Sequence, residues 1–522
     1  MKLALSEKIS RIDKFCAKEL GIPTRLLMEK SGHAVAKVIK DRVMPGASVT
    51  ILAGKGNNGG DGYAAACELM GEYSVVIYDV FGEGQNSSAG KSFYDEFISK
   101  GGVLKPLDTG KETLNFIKNS SVIVDAIFGT GFHGEVPEDL RPLAIAIRES
   151  VSAIKIAIDV PLGINADNGS VSDFAINVNA TVELSFIKPG IISYPARAYV
   201  GDVIYDSLDI PLDKIYDSFD FKYNNIVKDE VPSMLPVRKM NSHKGTFGKL
   251  LMIVGSERYK GAAHLSAEAA LRGGVGLVSY LGIPSLCDAL AAKYPEIVFY
   301  PSVATEEYGT AEIERAVMLS EKHNATLIGS GSSNTAGLFK LTAALLELET
   351  DAPLILDADA INALGEAGDE GKLALKCAKR PVILTPHPLE FARLFDLDVS
   401  EVQQNRLETA EHFTENFNAI IVLKGAGTII ADSDEVYINT SGSSALAKAG
   451  SGDVLAGLIA AFAAQPSFTP SLSARAAVAL HAIAGDRLSG KYSSYGVTPS
   501  DLPREIARVM CEIEENRDTR VK

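Results

Sequence analysis

The chain has no tryptophan and only 5 cysteines among its 522 residues. Cys16, Cys67, Cys287, Cys377 and Cys511 lie far apart, with no CxxC pair. That spacing excludes a thiolate zinc site and a disulfide framework, and a reducing cytoplasm is the simplest setting. Without tryptophan, the rings of a ligand must stack on tyrosine, phenylalanine or aliphatic side chains. Positive charge is also short: 51 Lys and Arg against 66 Asp and Glu give a formal net charge of -15. A nucleic-acid surface needs basic patches to displace counterions, so that class is excluded. No apolar run is long enough to span a bilayer, and the alanine-rich DVLAGLIAAFAA reads as a buried helix. The opening MKLALSEKISRIDKF breaks its apolar run at Ser6, Glu7 and Lys8, and does not read as a signal peptide.

What the chain does have is an alternation, twice over. In the first half SVTILAG, YSVVIYDVF, SVIVDAIFG, IKIAIDVPLG and ATVELSFIKPG are strand candidates separated by amphipathic stretches. Continuous apolar strands between helices predict a parallel sheet covered on both faces. The pattern fades after Pro211, where DKIYDSFDFKYNNIVKDEVPSMLPVRK is polar and then Pro-punctuated, as suits a connection. A second alternation starts at KLLMIVGS and runs through ATLIGSGSSN, APLILDADAINAL, RPVILTPHPLEFARLF and AIIVLKGAGTIIAD. A chain this long exceeds one core. The glycine motifs of the halves differ in kind, so the prediction is two unrelated α/β domains, residues 1–218 and 219–522.

In parallel sheets ligands collect at the carboxyl ends of strands. Three such ends in the first half offer chemistry. The first is AGKGNNGGDGY, a glycine loop that ends in neither Lys-Ser nor Lys-Thr and carries Asp61 where a P-loop would hold phosphate. The second is Asp125 with FGTGFHGE, and the third is Asp159 in IAIDVPLGIN. Glycines let backbone N–H groups turn toward an anion, and a helix starting after Asp61 adds its positive end. A phosphate can then sit on GTG while Asn57 and Asp61 bond to hydroxyls. Asp125, the Asn58 side chain and nearby carbonyls make an oxygen-rich pocket for a hard cation. Asp159 ends a buried strand, where desolvation tends to raise a carboxyl pKa and suits it to proton transfer. Each motif alone reads better as a tight turn, a helix cap or a satisfied buried acid. Three at the ends of one sheet favour a site.

In the second half LAKAGSGDVLAGLIAAF puts Gly450, Ser451 and Gly452 before Asp453 and an apolar helix. Such amides suit a transferring phosphoryl group, and Asp453 can take a proton from an attacking hydroxyl. Upstream, VLKGAGTII supplies Lys424, Gly425, Ala426, Gly427 and Thr428 as a cradle for nucleotide phosphates. YKGAAHLSAEAALRGGVGLV, IGSGSSN and LTPHPLEF, with His387, complete the set. Asp357 and Asp359 in LDADAIN suit magnesium held through water, or loop capping.

GKGNNGGDG, DAIFGTG and IDVPLGIN resemble the N-terminal epimerase domain of the NAD(P)H-hydrate repair enzymes, over most of residues 1 to about 215. The resemblance implies that Asn57, Asn58, Gly59, Gly60 and Asp61 bind the hydrated dinucleotide. Gly129, Thr130, Gly131, Phe132, His133, Gly134, Glu135 and Asp159 would join them. It also implies potassium held by Asn58, Asp125 and the carbonyl of Leu162, a position where many relatives carry serine; a carbonyl ligand survives that change. Residues from roughly 225 to 510 resemble the family's ribokinase-like dehydratase domain. Ala262, Gly331, His387 and Asp453 then meet the hydrated dinucleotide, and Lys424 to Thr428 with Gly452 meet the nucleotide. Leu389 departs from a glycine common in the family.

The activity implied is repair of hydrated NAD(P)H, with ADP as phosphoryl donor, released as AMP and phosphate, and Mg2+ in the second site. Asp453 would be the base for the C6 hydroxyl. Asp159 would serve proton transfer between the C6 epimers, with Lys188 as a helper. A cytoplasmic homo-oligomer without nucleic-acid or membrane partners is expected. Two other readings stay open: a small-molecule or vitamin kinase with a nucleotide-sensing N-terminal domain, and a pair of non-catalytic dinucleotide-binding regulators.

Overall fold

A computed structural model of the chain describes residues 1–82, 87–303 and 308–521. It divides into two compact units, Lys2–Asn224 and, with Met1, Asn225–Lys522. Phe219 and Phe221 belong to the first unit. Phe219 packs edge-on against Phe15 at 5.5 Å, and Phe221 stacks on Phe186 at 5.2 Å between ring centroids. The stretch read as a connection therefore begins inside the first core, and the change of unit falls within the strand Tyr223–Ile226.

Among its described residues the first unit has seven parallel strands. They are β1 (Ser48–Ala53), β2 (Ser74–Asp79), β3 (Val103–Pro106), β4 (Val122–Ala126), β5 (Ile154–Ile158), β6 (Ala180–Leu184) and β7 (Asp202–Asp206). Their order is β3-β2-β1-β4-β5-β6-β7, every pair parallel. The central strands bury both faces: Ile51, Leu52, Ile77, Val124, Ile156 and Val182 are fully enclosed. Burial on both faces is why they read as unbroken apolar runs. The chain leaves β1 toward β2 on one side and returns to β4 on the other. The crevice beyond β1 and β4 is thus the switch point at which an open sheet takes ligands.

Among the described residues of the second unit nine strands lie wholly within its bounds. They are β8 (Lys249–Ile253), β9 (Leu277–Gly282), β10 (Val298–Pro301), β11 (Ala325–Ile328), β12 (Leu354–Leu356), β13 (Val382–Leu384), β14 (Ile420–Leu423), β15 (Thr428–Ala431) and β16 (Val436–Asn439). Their order is β16-β15-β14-β13-β12-β11-β8-β9-β10. β8 to β14 pair in parallel, while β15 and β16 join antiparallel, so this sheet is mixed. Here β8 lies between β9 and β11 and marks the second switch point. The helix Ser451–Ala463 packs on Lys260–Arg272 and is buried along nearly its whole length, as DVLAGLIAAFAA suggested. Among the described residues no helix is long and apolar enough to cross a membrane.

One local expectation needs correction. A helix was expected to start after Asp61, but it runs Asn57–Leu69 with Gly56 as N-cap. Gly59, Gly60 and Gly62 are therefore helical. They serve close packing: a Cβ on Gly60 would lie 2.6 Å from the Met28 methyl, and one on Gly62 would lie 2.9 Å from the Ala126 Cβ.

Candidate functional sites

A cavity of about 660 Å3 opens at the switch point of the first sheet. Its wall includes Asn57, Asn58 and Asp61 from the helix after β1, and Gly129, Thr130 and Gly131 after β4. Asp159 after β5 and Ser185 after β6 complete that side. The helix Ser6–Lys18 contributes Ile9 and Asp13, and Thr24–Lys40 contributes Leu27, Met28 and Ser31. Gly60 N–H is the first amide of the Asn57 helix bonded back along it, to Gly56 O at 3.1 Å, so the first turn offers amides to an anion. A Cβ on Gly129 would come within 3.4 Å of both Asn58 Cβ and Asp159 Oδ2, and one on Gly131 would meet nothing within 4 Å. The GTG loop thus lets a ligand approach its backbone.

The remainder of that loop turns away from the cavity wall. Phe132 is buried against Phe128. His133 Nδ1 pairs with the Asn165 amide at 3.1 Å, and Glu135 accepts from Ser172 Oγ at 2.5 Å. Phe132, His133, Gly134 and Glu135 lie outside the lining, as do Gly59 and Gly60. The sequence placed the whole motif in the site because a glycine-rich string carries no mark of where the chain bends away.

Asp125 is fully buried and accepts two backbone N–H groups, Leu162 at 2.6 Å and Ile127 at 3.1 Å. Burial nonetheless raises its pKa to about 6, against the pull of those two bonds. Asn58 Nδ2 donates to Phe128 O at 2.7 Å, which fixes the amide orientation. Its Oδ1 is then left buried with no hydrogen bond among the described residues. Leu162 presents its N–H to Asp125, while its carbonyl accepts from Ile176 N at 3.0 Å. A carboxylate, an orphaned amide oxygen and a carbonyl suit a hard cation.

Asp159 has φ +68°, outside the usual range for a side-chain-bearing residue, and Val160 N–H bonds back to Ile158 O at 2.7 Å across it. Lys188 Nζ pairs with its carboxylate. Asp13 and Asp61 face the same carboxylate. Burial first, then the Asp159 charge, lifts Asp13 to about 6 and Asp61 well above the carboxylate range. Asp13 has no motif of its own. Its only sequence signal is an acid directly after Ile12 on the buried stripe Ile9, Ile12 and Cys16.

In the second unit the switch point is closed by contact between two loops. Gly255 N–H donates to Ser330 O at 2.8 Å. A Cβ on Gly331, whose φ is +63°, would lie 2.6 Å from the Ala262 Cβ. Ala262 and Gly331, far apart in sequence, are therefore neighbours. Ser333 and Ala358 also have positive φ, +62° and +46°. Such strained backbone collects at functional sites.

Around this point stand four acids and one buried lysine. Asp357 accepts from Ser330 Oγ at 2.7 Å, Thr385 Oγ1 at 2.7 Å and Lys424 Nζ at 3.0 Å. Lys424 Nζ also reaches Glu390 at 3.8 Å. The lysine of the expected phosphate cradle is thus already committed to two acids. Burial disfavours its charge, but Asp357 and Glu390 outweigh that, and its pKa rises. Asp359 accepts from Ser333 N–H at 2.9 Å. His387 caps the helix Pro388–Phe395: its Nδ1 accepts from Glu390 N–H at 3.1 Å, leaving the proton on Nε2. Burial and Lys424 lower the His387 pKa, so the ring is neutral.

Asp453 is not a helix cap. Gly450 is the N-cap, at φ 102°, and no side chain caps the helix. Burial, then the charge of Asp357, raises the Asp453 pKa to about 7, with Lys424 opposing. A Cβ on Gly452 would sit 3.4 Å from Lys424 Nζ, so the ammonium lies at the first turn of this helix. Gly425 and Gly427 carry positive φ. Beneath them Arg406, which sequence reasoning missed, donates to Leu423 O at 3.0 Å, Lys424 O at 3.3 Å and Gly427 O at 3.4 Å. It is buried, and no local motif marks it.

Residues 24–190 match the model of the family described as YjeF-related protein N-terminus, and 250–508 match NAD(P)H-hydrate dehydratase. A bifunctional NAD(P)H-hydrate repair enzyme of Thermofilum pendens is 31% identical, over 99% of this chain and 97% of its own. One from Helicobacter pylori is 32% identical, over 97% of this chain and 100% of its own. The chain belongs to the bifunctional NAD(P)H-hydrate repair enzymes. A crystal structure of the ADP/ATP-dependent NAD(P)H-hydrate dehydratase of Bacillus subtilis, crystallised with ATP and Mg2+, is 29% identical to it. That match covers 56% of this chain and 98% of the other, with a TM-score of 0.49. The family-implied residues fall in two groups that the fold keeps together: Asn57, Asn58, Asp61, Gly129 to Gly131 and Asp159 on one cavity, and Ala262, Gly331, His387, Lys424 and Asp453 around the second switch point.

Proposed function

We propose that this chain repairs hydrated NADH and NADPH with two separate centres. The N-terminal domain interconverts the C6 epimers, and the C-terminal domain dehydrates the S epimer with ADP as phosphoryl donor, releasing AMP and phosphate. The observation that carries this reading is Asp453. It stands in the first turn of a glycine-led helix, free of any capping duty, with a pKa raised to about 7. A carboxylate poised there is matched to taking a proton from a hydroxyl near neutral pH.

The chemistry follows from the substrate. Hydroxide leaves C6 poorly, and phosphate leaves well. Asp453 takes the proton of the C6 hydroxyl as that hydroxyl's oxygen attacks the phosphoryl group, and the first-turn amide of Gly452 meets the developing charge. Phosphate then departs with the push of the ring nitrogen lone pair. Only one epimer can present its hydroxyl to a fixed base and a fixed donor, which is why a second centre is needed. There Asp159 moves the proton, and Asn57, Asn58, Asp61 and the GTG amides hold the substrate.

Asn58 Oδ1, Asp125 and the second lone pair of the Leu162 carbonyl would hold K+, which would supply fixed positive charge beside the dinucleotide. Asp357 and Asp359, whose oxygens already accept protein donors, suit a Mg2+ held through water that would neutralise nucleotide phosphates. Gly425 to Thr428 over Arg406 and Gly452 are the nucleotide side of the same centre. We place the enzyme in the cytoplasm as a homo-oligomer.

The deciding experiment is product analysis of the full chain with hydrated NADH and either ADP or ATP. Inorganic phosphate with NADH is the expected result. Accumulation of a phosphorylated substrate would establish the kinase reading instead, and no turnover with tight binding would establish a binding protein.

A further inference from the structure

Glu183 lies inside β6, between the buried Val182 and Leu184, and is itself fully enclosed. A carboxyl at such a position is unfavourable relative to an apolar residue of similar size. Val or Leu would serve the sheet better. Its Oε2 accepts from the Lys188 backbone N–H at 3.1 Å and lies 3.3 Å from Lys188 Nζ. Its Oε1 has no hydrogen-bond partner among the described residues. Lys188 is equally enclosed, 1% exposed, and touches the cavity nowhere. The Lys188 ammonium bridges Glu183 and Asp159, and of the three residues only Asp159 reaches the cavity wall.

The chain between them is bent in an unusual way. Ser185 has φ +60°, and Phe186 N–H bonds back across it to Leu184 O at 2.7 Å, repeating the tight turn at Asp159. Two adjacent strand ends thus hold strained turns, and the Glu183–Lys188 pair ties the second to the first. Strain of this kind persists only where surrounding contacts fix it.

We propose that Glu183 is a positioning residue of the epimerase centre. It grips Lys188 at both its backbone N–H and its ammonium, and so fixes the ammonium that holds the Asp159 carboxylate on the cavity wall. The groups that face Asp159 are Lys188 and Glu183 on this side and Asp13 and Asp61 from the two helices opposite. Without a fixed ammonium the Asp159 carboxylate would turn among like charges. This inference rests on the reading of Asp159 as the proton-transfer group.

The test uses the full chain, with dehydration of the S epimer as a control on the same molecule. Glu183→Met removes both grips and Glu183→Gln keeps an acceptor in the same place. Epimerisation kcat is expected to fall about 10- to 100-fold in Glu183→Met, the cost of misplacing a reacting group by about an ångström. KM for the R epimer should stay within about threefold, and Glu183→Gln should recover to within about threefold of the parent kcat, because only the charge differs from a held position. An unchanged kcat in Glu183→Met, or a Glu183→Gln as impaired as Glu183→Met, overturns the proposal. Should Glu183→Met not fold, Lys188→Met takes its place. The proposal then requires a comparable kcat loss there with KM held, beside a near-parental Glu183→Gln. Asp159→Asn is measured alongside. If that variant epimerises normally, the assignment of Asp159 has failed, a result distinct from failure of the Glu183 role.

Discussion

Replacing Asp453 with asparagine should destroy dehydration and stabilise the protein at the same time. The catalytic half is direct: asparagine keeps the shape but cannot accept the C6 hydroxyl proton, and loss of a general base costs about 100- to 10,000-fold in rate. The stability half follows from the pKa. In the folded chain burial and Asp357 raise Asp453 from 3.8 to about 7. Between those values the unfolded chain releases a proton that the folded chain keeps. Stability therefore falls as pH rises through that window, and levels off above about pH 7. At 1.36 kcal/mol per pH unit the ceiling is ~4 kcal/mol, and the part shared with Lys424 and Asp357 reduces it. Asparagine has no such loss. No capping bond is sacrificed, because Gly450 holds the N-cap position. Asp453→Asn should thus be more stable than the parent at pH 8, by about 1 to 4 kcal/mol, with the gap narrowing toward pH 5. Denaturant unfolding at pH 8, 6 and 5 reads the gap, and nucleotide-dependent formation of NADH reads the rate. A variant that keeps more than about a tenth of the parental rate refutes the base assignment under that range. A variant less stable than the parent at pH 8 refutes the electrostatic account of why this carboxylate is poised.

Asp125→Ala removes the only formal charge in the proposed K+ ligand set; epimerisation and its response to added K+ should be lost in an epimer-interconversion assay, while dehydration of the S epimer persists. Gly331→Ala forces a Cβ to within 2.6 Å of Ala262 at φ +63°. Overpacking should cost about 1–3 kcal/mol, and steady-state kinetics should show a higher KM for the hydrated dinucleotide in dehydration with epimerisation unchanged. Arg406→Lys keeps the charge but loses the fork that gathers the carbonyls of Leu423, Lys424 and Gly427. The KM for ADP should rise about tenfold with kcat within about threefold, since an arginine at such a site is not interchangeable with lysine.

The parallel strands were legible because burial on both faces leaves no polar alternation to confuse them. β3 and β7 were not, because edge strands such as VLKP and DVIYD are half exposed and carry charge. The start of the helix at Asn57 was misplaced for a related reason. Propensity reads NNGGDG as loop, while Met28 and Ala126 require glycine at those helical positions. Glu183 did leave a mark, an acid inside ATVELSF, and that mark means little until Lys188 is seen to fold back onto it.

The acids show where a sequence stops being informative. Asp125, Asp159 and Asp357 each stand at or just past the carboxyl end of an apolar strand, and on the page they are alike. Their partners differ. Asp125 meets two backbone N–H groups, Asp159 meets an ammonium, and Asp357 meets two hydroxyls and an ammonium. Every one of those side-chain partners lies between 27 and 67 residues away along the chain. Topology decides that an acid at a strand end will face a ligand, so the position can be read from an apolar run. What the acid does there depends on which donor reaches it across the sheet. That is fixed by strand order, and strand order is the property that a linear pattern does not carry.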